Sequence, residues 1–469
     1  MQVQPAQPRP WNLVGYLDAR HHELDAPTTR EAVDFFQHAP ENTAVSFQLA
    51  RQTRSAGWQR TIGKLEKMVL PAAVVAVGAA AFTLGLPALV TAGLAVEAIG
   101  TGAMAWLDGN KRLQSVQRNE AFHQEPAWKG VKAFDLETQQ AAGPTHLPAV
   151  EKTEKPFNQF LLDKMQAYPS QYSAVLVSGH GDGYRKVAGQ KLEEVAETLA
   201  ANRRQTGKKV DLVVLEACKM GNLEGLAKLA EGARLAVVSE DAIWDVGLPW
   251  KPILEKMDAG VDPEQLGRAI VATSGGIEHR GEVKIPQMAL VDLEKLAGVC
   301  ESVEKLAGRL QDEIDGGNKE KVRAAFASTR HFPKAPQPRM QGLLGLGERL
   351  YNKVKRDIFY PDLGDLGGFL DGLDREFSSQ QMRQTVAEVR QGLQSAVVSN
   401  QVHPSYQGQA HGLSLRMPSP IHFKDYYGKR TGLKAWGQVI DSMRPWRARF
   451  GSAMLEGIKS VYDRLRSAD

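Results

Sequence analysis

Apolar positions along the chain fall into short runs separated by polar stretches with helical spacing. Residues 11–17 and 44–49 read as strands, with a helical stretch at 28–36 between them. Further on, residues 157–167 show helical spacing and residues 172–178 form a continuous apolar run, the pattern of a strand buried on both faces. Within 190–204, Leu192, Val195, Ala196, Leu199 and Ala200 fall at i, i+3, i+4, i+7 and i+8, one face of a helix. The next apolar run, from Leu212, ends at Cys218. A strand, a helix and a second strand in this order predict a parallel pair with a right-handed crossover. Cys218 is then expected to open a helix through 230, followed by a strand at 235–238. Another strand is predicted at 287–293, with an amphipathic helix at 293–310 whose apolar face includes Cys300 as a packed thiol. Residues 311–400 read as helical and polar, broken by a Pro-rich loop at 332–338. A strand at 412–417 and a basic amphipathic helix at 446–466 close the chain. The fold class is α/β, around a mostly parallel sheet.

The two strand ends carry the chemistry. The first apolar run finishes in Ser178-Gly179-His180-Gly181 and the second in Glu216-Ala217-Cys218. Ligands of open α/β sheets bind beyond the carboxyl ends of the strands, so a parallel pair sets this imidazole and this thiol side by side. That is the minimal equipment of a cysteine hydrolase, a thiol beside an imidazole. The glycines let the chain turn sharply beside the histidine, and the N–H groups of Gly181 and Cys218 are candidate oxyanion donors. A helix starting at Cys218 would favour the thiolate.

Composition narrows the rest. With 469 residues the chain holds one elaborated α/β domain or a few smaller ones, and a net charge of +4 does not call for nucleic acid. Two cysteines exclude a disulfide framework, and residues 1–10 lack the apolar core of a secretory signal. No zinc-type histidine or cysteine spacing, dinucleotide fingerprint or EF-hand loop is legible, so no metal and no cofactor are expected.

The residues around His180 and Cys218 resemble the caspase-like clan of cysteine peptidases, and within it the clostripain family. His180-Gly181 after one strand and Glu216-Ala217-Cys218 after the next carry the resemblance. Residues 11–18, 168–172, Ser239-Glu240 with Gly247, Pro249 and Trp250, Asp362-Leu363, and 412–415 before Pro418 are similar to further family segments. The likeness covers about 10–60 and 150–445. It implies a caspase-like three-layer αβα sandwich and peptide-bond hydrolysis, with Cys218 as nucleophile and His180 protonating the leaving amine. It also implies a preference for Arg or Lys before the scissile bond, served by an acid two positions before the cysteine. Here that acid is Glu216 where the family usually has aspartate, one methylene longer. A second pocket acid is expected among Glu240, Asp241 and Asp245, with Asp245 preferred. Basic residues at 203–209 read as solvated helix-end charges, with self-cleavage there as the alternative.

Residues 68–107 interrupt the resemblance with forty positions bearing one charge, Glu97. Strands on either side belong to one sheet, so both ends of this segment lie on one side of any bilayer, and a helical hairpin turning at 85–87 satisfies that constraint. Basic residues flank both ends and place them in the cytoplasm. The alternative is a soluble hairpin packed on protein, which spares Glu97 the membrane interior. The chain thus divides into first strands (1–60), an insertion (61–147), a catalytic core (148–310) and a mostly helical C-terminal region (311–469). The expected function is a membrane-tethered endopeptidase acting on proteins or peptides at Arg or Lys. The competing reading is a non-catalytic membrane-inserting effector or scaffold that uses the caspase-like domain for binding.

Overall fold

The structure, a computed structural model, describes residues 9–20, 24–40, 42–51, 131–135, 156–244, 247–279, 281–332, 363–418 and 432–443, with isolated positions between 60 and 113. Strands β1 (Arg9–Ala19), β2 (Thr43–Arg51), β3 (Val131–Asp135) and β4 (Ser170–Ser178) are followed by a small hairpin, β5 (Lys186–Val187) and β6 (Gln190–Lys191). Then come β7 (Val210–Glu216), β8 (Ala233–Val238), the hairpin β9 (Ile277–His279) and β10 (Glu282–Ile285), and β11 (Gln287–Asp292). The last are β12 (His331–Phe332), β13 (Leu363–Asp365), β14 (Val397–Val402) and β15 (Ser414–Arg416). Eight of them form one sheet in the order β14-β11-β8-β7-β4-β1-β2-β3. The pairs β1–β2, β1–β4, β4–β7 and β7–β8 are parallel, while β3, β11 and β14 make antiparallel pairs toward the two edges.

Alternation along the central strands feeds two separate cores. Val175 and Val177 of β4 and Val213 and Leu215 of β7 enter one core, while Ala174, Leu176, Leu212 and Val214 enter the other. The helices Phe157–Ala167, Leu192–Thr206, Leu223–Leu229 and Leu296–Glu313 cover the first face. Asp25–His38, Trp250–Asp258 and Pro263–Ser274 cover the second, giving three αβα layers. Strands walled in on both faces read as unbroken apolar runs, which is why β4 and β7 stand out in the sequence.

The predicted strands and helices from 11 to 51 and from 157 to 310 form within a few residues of their expected bounds. Two expectations need correction. Cys218 opens no helix: the helix starts at Leu223, where the Asn222 side chain accepts the N–H of Gly225 at 2.8 Å. Nor is the region 311–400 simply polar. Helices Leu366–Glu376 and Gln380–Ala396 bury Phe369, Leu370, Val386, Val389 and Leu393 in the first core, and 397–402 adds the edge strand β14. The apolar segment 68–107 and the basic stretch 446–466 lie outside the described residues, apart from an exposed Met68. Among the described residues no helix is long and apolar enough to cross a membrane.

The connection between β4 and β7 is tight. Only residues 207–209 join the helix Leu192–Thr206 to β7. Its basic side chains are engaged: Arg203 donates to the Glu231 carbonyl at 3.0 Å, Arg204 pairs with Glu197, and Lys209 meets Glu294 at 3.1 Å. These contacts are those of helix-end charges.

Within the C-terminal region Asp365 ties a helix start to the segment before β15. Its carboxylate accepts the N–H of Gly368 at 2.6 Å, capping a helix, and the backbone N–H and Nδ1 of His411 at 2.8 and 2.6 Å. The hydrogen bond to Asp365 raises the His411 imidazole above its ordinary range, against partial burial. A raised folded-state value means that the pair contributes stability fully at pH below the unfolded imidazole range, near about 6.5, and that this is lost as pH rises through the raised value. Melting temperatures of wild type and His411→Gln are therefore expected to differ most at mildly acidic pH and to converge on the alkaline side. A gap that stays constant with pH would mean that the imidazole carries no charge in this contact.

Candidate active site

The site is built where β4 and β7 end in step. Ser178 lies opposite Glu216 in their parallel register, and the Gly179 N–H donates to the Glu216 carbonyl at 3.1 Å. Beyond this point the two chains leave the sheet together. The histidine loop folds back as a small hairpin, with the Ala188 N–H on the His180 carbonyl at 2.8 Å and the Asp182 N–H on the Lys186 carbonyl at 2.9 Å. An Arg185–Asp182 ion pair at 2.6 Å braces its tip.

Gly181 brings the loop onto the cysteine. A Cβ at this position would lie 2.0 Å from the Cys218 carbonyl oxygen and 2.8 Å from its nitrogen. Only a residue without a side chain permits backbones to approach this closely. His180 and Cys218, predicted to meet on sheet topology alone, are therefore neighbours across the Gly181–Cys218 contact, both partly exposed.

Cys218 sits on a turn that the rest of the domain holds from three sides. The Lys219 N–H donates to the Asp241 carbonyl at 2.9 Å and the Gly221 N–H to the Ser239 carbonyl at 2.7 Å, tying the turn to the segment after β8. From the C-terminal region the N–H and hydroxyl of Ser414 both donate to the Gly221 carbonyl, at 2.8 and 2.9 Å. Asn222 Nδ2 adds a bond to the Lys219 carbonyl at 2.9 Å. The Cys218 thiol donates to the Ile243 carbonyl at 3.4 Å. The next residue, Trp244, is one of the few large apolar side chains left exposed among the described residues, at 47%.

No helix terminus reaches the thiol, since four residues separate it from the first helical position, Leu223. The charge beside it is instead Lys219, which the sequence reading passed over. Lys219 is buried and holds a left-handed backbone at φ 62°. Burial pulls its ammonium down to about 8, against the opposing pull of Asp182 and then Cys218. A cation this close favours the thiolate electrostatically, the role first assigned to the helix. Its sequence signal was present: a lysine directly after the cysteine, in a stretch whose Gly221-Asn222 already spells a later helix start. Cys300, by contrast, packs against the first core, and burial pushes its thiol up to about 12, so it stays inert.

The acids fall in three different places. Glu216 is buried, its Oε1 accepting the Leu248 N–H at 2.6 Å and its Oε2 the Trp250 indole N–H at 3.3 Å. Burial pushes its carboxyl up to about 7. Glu240 is buried further back, with its backbone N–H on Gln287 and its Oε2 accepting the Gly412 N–H at 2.7 Å, so it braces the C-terminal region. Asp241 is buried and accepts the Ala242 N–H at 2.7 Å. Asp245 lies outside the described residues. Among the described residues no cluster of three or more His, Cys, Asp or Glu side chains is arranged to hold a metal.

The fold and the paired strand ends are those of an α/β protein with a thiol and an imidazole at the carboxyl edge of its sheet. The architecture is similar to that of an inactive zymogen C11 protease from Parabacteroides distasonis, with TM-score 0.50 at 11% identity over 94% of this chain and 100% of that one. It is also similar to a secreted C11 cysteine protease from Bacteroides thetaiotaomicron, with TM-score 0.50 at 10% identity over 93% and 99% of the two chains. No curated protein sequence matches the chain. The sequence profile of the clostripain family, peptidase family C11, matches residues 150–438. The chain belongs to the clostripain family and is a cysteine peptidase.

Gly181→Ala tests the contact that defines this site. The added methyl group overlaps backbone rather than a flexible side chain, so the loops must separate. An overpacking cost of about 1–3 kcal/mol is expected in denaturant unfolding, together with loss of peptidase activity. Unchanged activity would show that the two loops need not touch.

Proposed function

We propose that the protein is an endopeptidase that cleaves after arginine or lysine, with Cys218 as nucleophile and His180 as general acid. The observation that carries this reading is the Gly181–Cys218 contact, which sets the imidazole loop directly against the cysteine turn. The Cys218 thiolate attacks the scissile carbonyl carbon, and the oxygen of the tetrahedral adduct takes the negative charge. The N–H groups of Gly181 and Cys218 are the donors assigned to that oxygen. Collapse of the adduct breaks the C–N bond as His180 gives a proton to the departing amine. Water, deprotonated by the same imidazole, then releases the acyl group and restores the thiolate.

Glu216 supports the preference for a basic residue because it is a carboxylate two positions before the nucleophile, at the end of β7. It supports it in a modified form, since the extra methylene carries the carboxyl inward to Leu248 and Trp250. Asp245 is proposed as the second acid on sequence position alone. A fluorogenic Arg-ending peptide is expected to be cleaved by wild type and left intact by Cys218→Ala. His180→Ala is expected to lose roughly 10²–10⁴ in kcat, the range of general acid–base catalysis. Cleavage of Arg, Lys and acidic peptides at equal rates would reject the specificity, and equal rates for wild type and Cys218→Ala would reject the mechanism.

A membrane-tethered peptidase with its catalytic domain in the cytoplasm is the address proposed for residues 68–107, on their length and low charge. Leu65 and Met68, at the approach to this segment, are both exposed. Alkaline carbonate treatment of membranes is expected to leave the intact chain in the pellet; its release would reject integral insertion.

A further inference from the structure

The sequence singles out Glu216 but gives no hint of what lies behind it. Glu31, on the helix Asp25–His38 that covers the second face of the sheet, buries its carboxyl against that of Glu216 at the carboxyl ends of β4 and β7. We propose that Glu31 is a positioning residue of the basic-side-chain pocket, holding the proton of a carboxyl–carboxylate pair whose single negative charge rests on Glu216. The proposal rests on the reading that Glu216 receives the arginine or lysine before the scissile bond.

Two carboxyl groups hydrogen-bonded to each other require a proton between them. Their other partners decide which keeps the charge. Glu216 takes two N–H donors, from Leu248 at 2.6 Å and from the Trp250 indole at 3.3 Å. Among the described residues Glu31 takes one weaker donor, the Ser178 hydroxyl, on Oε2 at 3.0 Å. The carboxylate therefore settles on Glu216 and the acid proton on Glu31. Burial, followed by the charge of Glu216, accordingly holds Glu31 well above the usual carboxylate range. The further charge facing the pair is Asp34, one turn along the Glu31 helix, itself attended by His38 and Arg30.

The roof over the pair is Gly247, at φ 70°. A Cβ there would lie 2.6 Å from Glu31 Oε1, closer than contact allows, and 3.5 Å from Glu216 Oε1, at ordinary contact, so glycine suits both the backbone and the space above Glu31. A carboxylate offers about four acceptor sites, and the two donors on Glu216 leave the remainder for a guanidinium or ammonium. Aspartate at 216 would be one methylene too short to make the same contact with Glu31. The glutamate and its partner thus form one device, a buried acid that keeps a buried carboxylate oriented and charged.

The test uses the full chain carrying Cys218→Ala, so that no thiol titrates, with a fluorescent Arg-ending peptide followed by anisotropy against pH. Affinity is expected to be level above neutrality and to weaken about tenfold per pH unit once Glu216 takes a proton, below about 7. Adding Glu31→Gln keeps a donor toward Glu216 and is expected to leave this profile nearly unchanged. Adding Glu31→Leu removes the donor, so the midpoint moves to higher pH and binding at pH 7 falls severalfold. Equal losses in the Gln and Leu variants, or affinity independent of pH in all three, would overturn the proposal. Infrared spectra read the proton without any ligand. Above pH 7, where Glu216 is ionised, the wild-type minus Glu31→Gln difference spectrum is expected to show the carbonyl stretch of a buried carboxylic acid over the background of other buried carboxyls such as Glu240; its absence would place the proton elsewhere. If that band behaves as expected but the Arg peptide binds no better than a neutral one, the pair stands and the basic-residue specificity falls.

Discussion

Everything in this site depends on one close approach, the backbone of Gly181 on the backbone of Cys218. Parallel strands deliver their carboxyl ends to the same edge, but that alone leaves adjacent loops free to diverge. The Gly179 N–H on the Glu216 carbonyl keeps them together for one more residue, and the absence of a side chain at 181 lets them touch. The imidazole and the thiol inherit their neighbourhood from these backbone contacts.

Holding the cysteine turn still takes the rest of the domain. Ser239 and Asp241 grip it from the next strand, and Ser414 reaches it from nearly two hundred residues further along. That explains the size of the C-terminal region. Its helices bury a face in the same core as the helices between the sheet strands, and its strand β15 begins against the cysteine turn. Glu240, just past β8, joins this region to the sheet by accepting the Gly412 N–H in a buried hydrogen bond, so a change far from Cys218 in the sequence is felt close to it.

Much of this was legible in the sequence because strands buried on both faces announce themselves. The runs 174–178 and 212–215, and the helical spacing of Leu192, Val195 and Leu199, gave the parallel pair and with it the meeting of His180 and Cys218. What escaped was local or long-range. The turn at 218–222 looked like the first turn of a helix because its residues suit one; a left-handed Lys219 and the Asn222 cap decide otherwise. Strand β14 is half-exposed at the sheet edge and shows no apolar run. The partnership of Glu31 and Glu216 spans 185 positions and two layers, and no periodicity encodes it. Glu216 stood out in the sequence as an acid two positions before the cysteine, whereas its burial follows from Leu248 and Trp250, where a loop enters the helix Trp250–Asp258.

The account stands on Cys218 being the reactive thiol and His180 its partner. Covalent capture measures both at once: the full chain is treated with a halomethyl ketone peptide ending in arginine and the adduct is mapped by mass spectrometry. The account predicts a single adduct on Cys218, none on Cys300, and labelling slowed strongly by His180→Ala. Comparable labelling of Cys300, or a Cys218 rate indifferent to His180, would contradict it.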